Sequence, residues 1–321
     1  MSADGAILFP GQGAQHLGMG LDLCAAEPAA QEVFDRAADT LGFDLREPLS
    51  GEDQAAVDRT DVCQPAILVT SLAAIQAMTA RGHLDESRVC AAAGLSLGEY
   101  SALTWAGALA LEDAVRLVRT RGEAMQRASE ERPSGMLSLV GATPETAAAL
   151  CDQAREDGVL VVANILAPKQ VAIAGTSDAL ERASGLAREH RVRKAVPLSV
   201  AGAFHSPCME SAAAALSEAL DATTIETPRV PVVMNVTAEP TTDPDVIREQ
   251  LRRQITSPVL WEASMLALFD AGMRHVLEPA PQRQLTNMLR RYEQESEVTT
   301  CADAAELEQL GAWPPATGGE G

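Results

Sequence analysis

Lysine is nearly missing from this chain: of 25 basic residues only Lys169 and Lys194 are lysines, and they face 45 acidic residues for a formal net charge of −20. Phosphate neutralisation needs clustered cations, so sequence-independent nucleic-acid binding is excluded and anionic membrane surfaces are disfavoured. The arginine preference reads as a genome-composition habit, or less well as adaptation to high salt. Paired cysteines are missing too. Cys24, Cys63, Cys90, Cys151, Cys208 and Cys301 are scattered without a CxxC, which fits buried reduced thiols better than a disulfide framework or a zinc site. His205 and Cys208 form an HxxC, but two ligands do not make a metal site. Residues 1–5 lack the basic start and apolar run of a signal peptide, and no window reaches the roughly 18 apolar residues of a membrane span. The expectation is a cytoplasmic protein with no metal or redox cofactor.

What is there is core material. With 321 residues, 46% apolar and 22% charged, the chain has the length of about two average domains and enough apolar residues to bury a large interior. No internal repeat is visible. Short β-branched or apolar runs alternate with longer helical patterns, the signature of an α/β fold with a largely parallel sheet. Strands are expected at residues 6–9, 89–95, 230–236 and 275–277. Helices are expected at 28–41, 63–81, 96–106, 111–129, from 207, at 245–254 and at 258–271. Between them, residues 136–198 read strand, helix, strand, strand, helix, strand. That βαββαβ order is a ferredoxin-like unit. The division is therefore a discontinuous core, 1–131 with 200–301, an inserted subdomain, 132–199, and a disordered or loosely docked tail, 302–321.

Gly94-Leu95-Ser96-Leu97-Gly98 is a GxSxG at a strand-to-helix junction. A serine on so tight a turn needs small residues two positions to either side, and its oxygen then projects from a helix N-terminus, where free N–H groups favour developing negative charge. The alternative is a serine N-cap with chance glycines. Among five histidines, His205 stands out as a partner base, because it lies in the small-residue loop Ala201-Gly202-Ala203-Phe204-His205-Ser206 between the insert and a new helix. On the helix expected at 111–129, Glu112, Arg116, Arg119, Glu123 and Gln126 make one polar stripe. Arg121 falls on the other side with Ala114, Val118 and Met125, where an unpaired guanidinium is costly. It needs an anion there, either a substrate carboxylate gripped by two hydrogen bonds or an unseen acid in a structural salt bridge.

Phe9-Pro10-Gly11-Gln12-Gly13-Ala14-Gln15, Gly94-Leu95-Ser96-Leu97-Gly98-Glu99-Tyr100, Arg121-Gly122-Glu123-Ala124-Met125-Gln126 and Gly202-Ala203-Phe204-His205-Ser206, together with Gln64-Pro65-Ala66 and Gln254-Ile255-Thr256-Ser257-Pro258-Val259, follow one another as in malonyl-CoA:acyl carrier protein transacylases. The chain resembles that family from about residue 5 to 292. The resemblance implies an α/β-hydrolase-like core with a ferredoxin-like insert, in agreement with the periodicity. It implies that Ser96 attacks a malonyl thioester, that His205 relays the proton, and that the backbone N–H groups of Gln12 and Leu97 form the oxyanion hole. It also implies that Arg121 binds the malonyl carboxylate and that backbone carbonyls of Asn164 and Gln254, not a carboxylate, orient His205. Phe204 and Leu95 would bear on donor choice, Phe204 because a ring beside the α-carbon leaves no room for a branch, although it could equally be core packing. Relatives often carry histidine where this chain has Leu95, as in chloroplast and cyanobacterial-type variants, and Gly-Pro-Gly where it has Pro279-Ala280-Pro281.

The implied function is malonyl transfer from CoA to an acyl carrier protein by a monomeric enzyme, for fatty acid synthesis. A discrete acyltransferase of a polyketide synthase, a serine hydrolase or thioesterase, and a docking protein with a retired site are the rivals. Carriers of this system are usually acidic, so an enzyme of charge −20 would need a local basic patch. Arg191, Arg193 and Lys194, and Arg290 with Arg291, are the densest candidates, set against the plainer reading of a solvated charge run.

Overall fold

The computed structural model describes residues 3–315. Its main sheet is built from β1 (Gly5–Phe9) and β2 (Val89–Gly94), and later from β7 (Val232–Val233), β8 (Pro240–Thr241), β9 (His275–Pro279) and β10 (Glu297–Cys301); the inserted β3 (Ser134–Val140), β4 (Leu160–Ala167), β5 (Gln170–Thr176) and β6 (Lys194–Pro197) form a second sheet. The main order is β10-β9-β1-β2-β7-β8, parallel throughout except for the β7–β8 pair. Every residue of β1 is buried, as a parallel strand covered on both faces requires. Ile7 and Phe9 face one apolar cluster and Ala6 and Leu8 the other, the two-residue alternation of a strand.

The helix Thr60–Ala80 is long and apolar enough to cross a membrane, but it packs inside the first of those clusters. A helix apolar all round is stable in a protein only where protein surrounds it. Its Pro65 cannot donate to the Asp61 carbonyl one turn earlier; Arg119 Nη1 donates to that carbonyl instead, at 2.7 Å.

The second sheet runs β4-β5-β3-β6, wholly antiparallel, with the helices Pro144–Ala154 and Ser177–Leu186 covering its own core of Leu137, Leu139, Leu150, Ile173 and Leu180. This is the ferredoxin-like arrangement expected from the βαββαβ order, with β4 and β6 at its edges.

The tail departs from expectation. Just before it β10 adds a strand to the sheet edge; within it the helix Ala304–Gln309 buries Leu307, and Trp313 is 1% exposed. Trp313 donates to the His83 carbonyl and accepts from the Asp85 amide, while Arg88 Nη1 holds the carbonyls of Pro314 and Pro315. Burying a tryptophan removes about 150–250 Å² from water, on the order of 4–6 kcal/mol, enough to overcome the ordering cost of a few residues. The disordered-tail reading therefore fails for residues 302–315, and residues 316–321 lie outside the described ones. Composition misled it, because the burial of Leu307 and Trp313 and the bonds to residues 83–88 depend on distant segments that an average over the tail does not show.

Candidate active site

Parallel strands deliver their carboxyl ends to one edge, and here four neighbours do so together. The segment carrying Gln12 follows β1, Ser96 follows β2, Asn235 follows β7 and Gln284 follows β9. Ligand sites in open α/β sheets lie along that edge.

Ser96 has φ 53, a strained value for a residue with a side chain. The chain can turn that sharply only because of its flanks. A Cβ on Gly94 would sit 1.9 Å from the Gly98 carbonyl, and one on Gly98 would sit 2.1 Å from the Phe9 carbonyl oxygen. The GxSxG spacing thus meets a packing requirement, as expected for a nucleophile turn. The helix Gly98–Trp105 follows directly. The amides of Gln12 and Leu97 donate to no protein acceptor among the described residues, so both are free for an oxyanion.

His205 Nε2 lies 2.8 Å from Ser96 Oγ, and Nδ1 lies 2.9 Å from the Gln254 carbonyl oxygen. A carbonyl only accepts, so Nδ1 carries the hydrogen and Nε2 presents its lone pair to the serine hydroxyl. Burial, with the Arg121 charge adding to it, lowers the His205 pKa to about 4, against the carbonyls of Gln254 and Ser257, which raise it. The imidazole is therefore a neutral base at rest.

Asn164 is not one of its supports. β4 bends to the segment after Pro258, where Val259 donates to the Ala163 carbonyl and Ile165 donates to that of Val259. No hydrogen bond joins Asn164 to His205; the second carbonyl acting on the ring is that of Ser257, inside the Gln254–Pro258 motif. Asn164 influences the histidine only by holding that segment.

Arg121 is 1% exposed, as its place on the apolar side of Leu111–Glu131 requires. Nη1 donates to Gln64 Oε1 at 2.8 Å, and Nη2 donates to Gln254 Oε1 at 3.0 Å and Ser96 Oγ at 3.1 Å. Among the described residues no carboxylate forms an ion pair with it. The unseen acid of the salt-bridge alternative is thus not in direct contact, and the guanidinium stands beside the Ser96 hydroxyl.

Three residues that the motif reading left without a role support this arrangement. Asn235 Oδ1 accepts from the Ser96 amide and Nδ2 donates to the Gly94 carbonyl, both at 2.7 Å, which clamps the nucleophile turn from across the sheet. Glu99, fully buried, accepts from the Asn235 amide and from Gln254 Nε2 at 2.6 Å each. Burial pushes its carboxyl up to about 7, against those two hydrogen bonds and the Arg121 charge. Gln254 also donates to the Ser96 carbonyl. Its side chain therefore binds the elbow and Arg121 while its backbone holds His205. The third, Gln284, touches the segment of Gln12. Asn235 stands at the end of a strand beside β2, the one signal that could have found it.

Phe204 is 5% and Leu95 6% exposed. Phe204 belongs to the apolar cluster that contains Thr60–Ala80 and Leu95 to the one beneath Trp261 and Met265. Arg191, Arg193, Lys194, Arg290 and Arg291 are exposed. Among the described residues no group of three or more His, Cys, Asp or Glu converges as metal ligands.

A strained serine, a histidine held by a carbonyl, one free amide after β1 and another at a helix start, and a buried cation make an arrangement suited to acyl transfer on an α/β-hydrolase-like sheet. Sequence comparison agrees: residues 7–318 match the acyl transferase domain family. The chain is 38% identical over 304 residues to the malonyl CoA-acyl carrier protein transacylase of Bacillus subtilis, covering 94% of this chain and 95% of that protein. The transacylase structure from Coxiella burnetii superposes with a TM-score of 0.91 at 31% identity, covering 96% of this chain and 97% of that one. A malonyl-transacylase solved in complex with its type II polyketide synthase acyl carrier protein gives 0.91 at 33% identity, covering 96% and 98%. The chain belongs to the malonyl-CoA:acyl carrier protein transacylase family.

Proposed function

We propose that the protein transfers malonyl from malonyl-CoA to the phosphopantetheine thiol of an acyl carrier protein through a Ser96 ester, supplying fatty acid synthesis. The observation that carries this is the buried Arg121 guanidinium 3.1 Å from Ser96 Oγ. An acyl-transfer site for an uncharged group has no use for a desolvated cation there, whereas a dicarboxylic half-thioester brings the missing anion.

Ser96 Oγ attacks the thioester carbonyl and gives its proton to His205 Nε2. The carbonyl oxygen, now negative, takes the amides of Gln12 and Leu97. Collapse breaks the carbon–sulfur bond, and CoA leaves as a thiol with the proton from His205. The carrier thiol then enters, His205 takes its proton, its sulfur attacks the Ser96 ester, and the proton returns to Ser96 as the thioester forms. No step requires a metal or redox cofactor. Phe204 beside the histidine would favour malonyl over a branched donor, with Leu95 shaping the other wall; one methyl group is worth about 1–3 kcal/mol, so the preference is finite.

The test is transfer of labelled malonyl from CoA to a purified holo carrier, with free malonate measured alongside. Label on the carrier supports the reading, and malonate released without a carrier would indicate a hydrolase. The polyketide alternative keeps the chemistry, and the complex of a relative with a polyketide synthase carrier gives it weight; carriers of the two kinds assayed side by side separate them. Only Val246 and Leu266 are exposed large hydrophobic residues among the described ones, in keeping with a monomer.

For carrier docking the two basic clusters are not equivalent. Lys194 pairs with Val140, at the opposite end of β3 from Ser134, whose hydroxyl accepts from Ala203 in the catalytic loop. Arg191, Arg193 and Lys194 therefore lie at the far end of the insert. Arg290 and Arg291 close the helix Gln284–Leu289, which starts at the segment carrying Gln12. Reversing both to glutamate is expected to raise the Michaelis constant for the carrier several-fold at low salt and less at high salt, leaving malonyl-CoA kinetics unchanged. The same reversal at Arg193 and Lys194 is expected to do less. Steady-state kinetics against carrier concentration checks both.

A further inference from the structure

The loop that departs from the family's Gly-Pro-Gly leads from β9 into the helix Gln284–Leu289, whose first residue makes a contact that the mechanism above leaves unused. Gln284 Oε1 accepts from the Gly11 amide at 3.1 Å, and Gln284 Nε2 donates to the Gln12 carbonyl at 3.3 Å. Those two groups belong to the peptide units on either side of the one that carries the Gln12 N–H. With both neighbours fixed, the rotation of the middle peptide is restricted, and its N–H has one direction to point. The loop cannot retreat on its other side, since a Cβ on Gly11 would already lie 2.3 Å from the Leu95 carbonyl oxygen.

The amide that makes the clamp is itself anchored. Glu278, at 1% exposure in β9, accepts from the amides of Leu285 and Thr286 and from the Thr286 hydroxyl, so the start of the helix is tied to the central sheet. A free glutamine side chain would lose rotamer entropy in making two bonds, and this helix start removes part of that cost.

We propose that Gln284 is a positioning residue that sets the Gln12 N–H in the oxyanion hole. It rests on the reading of Ser96 acylation given above, because an amide that receives no oxyanion needs no aiming. Oxyanion donors act through orientation, and loosening one differs from deleting it.

Gln284→Met keeps the side-chain length and removes both hydrogen bonds; Gln284→Glu keeps an acceptor and loses the donor. Single-turnover acylation by malonyl-CoA, followed by intact mass, is expected to fall about 10-fold in Gln284→Met, with binding of malonyl-CoA changed by less than about 2-fold. Gln284→Glu should lie between it and the wild type. Phenylboronic acid, which forms a tetrahedral anion on an active serine, should bind Gln284→Met more weakly by a similar factor. A merely structural contribution would lower the amount of protein that acylates and leave the rate of the folded fraction and the boronate affinity unchanged. Gln284→Met acylating at the wild-type rate, or a loss confined to malonyl-CoA binding, overturns the proposal. A wild-type protein that forms no malonyl adduct overturns the parent reading, an outcome distinct from a normal wild type matched by its variant.

Discussion

Arg121→Ala is expected to lose malonyl transfer by about two orders of magnitude while acetyl-CoA becomes the better donor. Hydrogen bonds to a charged group contribute about 1.5–3 kcal/mol each, and about 2.7 kcal/mol is a hundredfold. Two features raise the expectation to the upper part of that range. The guanidinium is 1% exposed, so water replaces little of what it gives the carboxylate. Its removal also leaves Gln64 Oε1 and Gln254 Oε1 without their donor, and Gln254 is the residue that holds His205. That second effect would lower transfer of every donor, so the diagnostic quantity is the ratio of malonyl to acetyl rates. Arg121→Lys keeps the charge but loses the planar fork, and should retain part of the malonyl preference. Competition between the two CoA esters, read as the mass of the Ser96 adduct, checks the ratio; an unchanged ratio in Arg121→Ala would remove the assigned role.

The parts of this molecule legible in the sequence are those governed by local rules. The helix Leu111–Glu131 shows its burial pattern through its period, which singles out Arg121 before any contact is known. Gly94 and Gly98 bracket Ser96 because of a turn of five residues. The insert declares itself through the order of its elements, each set by its own pattern. What stays hidden joins distant segments. Asn235 reaches Ser96 across 139 positions and Gln284 reaches Gly11 across 273. Nothing local distinguishes these residues from any other Asn or Gln. Asn164 shows the converse, a plausible position on a strand whose pairing with the segment around Val259 takes it away from the histidine. Glu99 was visible as part of a motif, but its task depends on burial, which only the packed sheet and Gln254 create. The same logic explains Trp313, whose partners His83 and Asp85 are more than two hundred positions away.

His205→Ala and Ser96→Ala should each abolish adduct formation, lowering acylation by about four to six orders of magnitude, because the two groups act as one unit. The pH profile of the wild type adds a finer expectation. A histidine of ordinary pKa would lose its base form below about 6.5. Burial first and the Arg121 charge second bring His205 down to about 4, so single-turnover acylation should stay level from neutral pH down to about pH 5 and fall only nearer 4. The stability linkage has a definite sign. Between about 4 and 6.5 the unfolded chain binds a proton at this site that the folded protein does not, so stability contributed by His205 is lost as pH falls through that window. Glu99 acts in the opposite sense. Its folded pKa of about 7 lies above the unfolded value of 4.5, so its contribution is lost as pH rises from 4.5 toward 7 and beyond. Arg121→Ala removes a cation facing both groups, and its effect is opposite to that of burial for only one of them. It should move the acylation inflection of His205 upward and raise the Glu99 carboxyl further. Rates measured from pH 4 to 8 in the wild type and in Arg121→Ala, the latter with acetyl-CoA, check the shift. An inflection at the same pH in both would mean that Arg121 does not act on the imidazole, and one near 6.5 in the wild type would mean that His205 is not desolvated when it takes the proton.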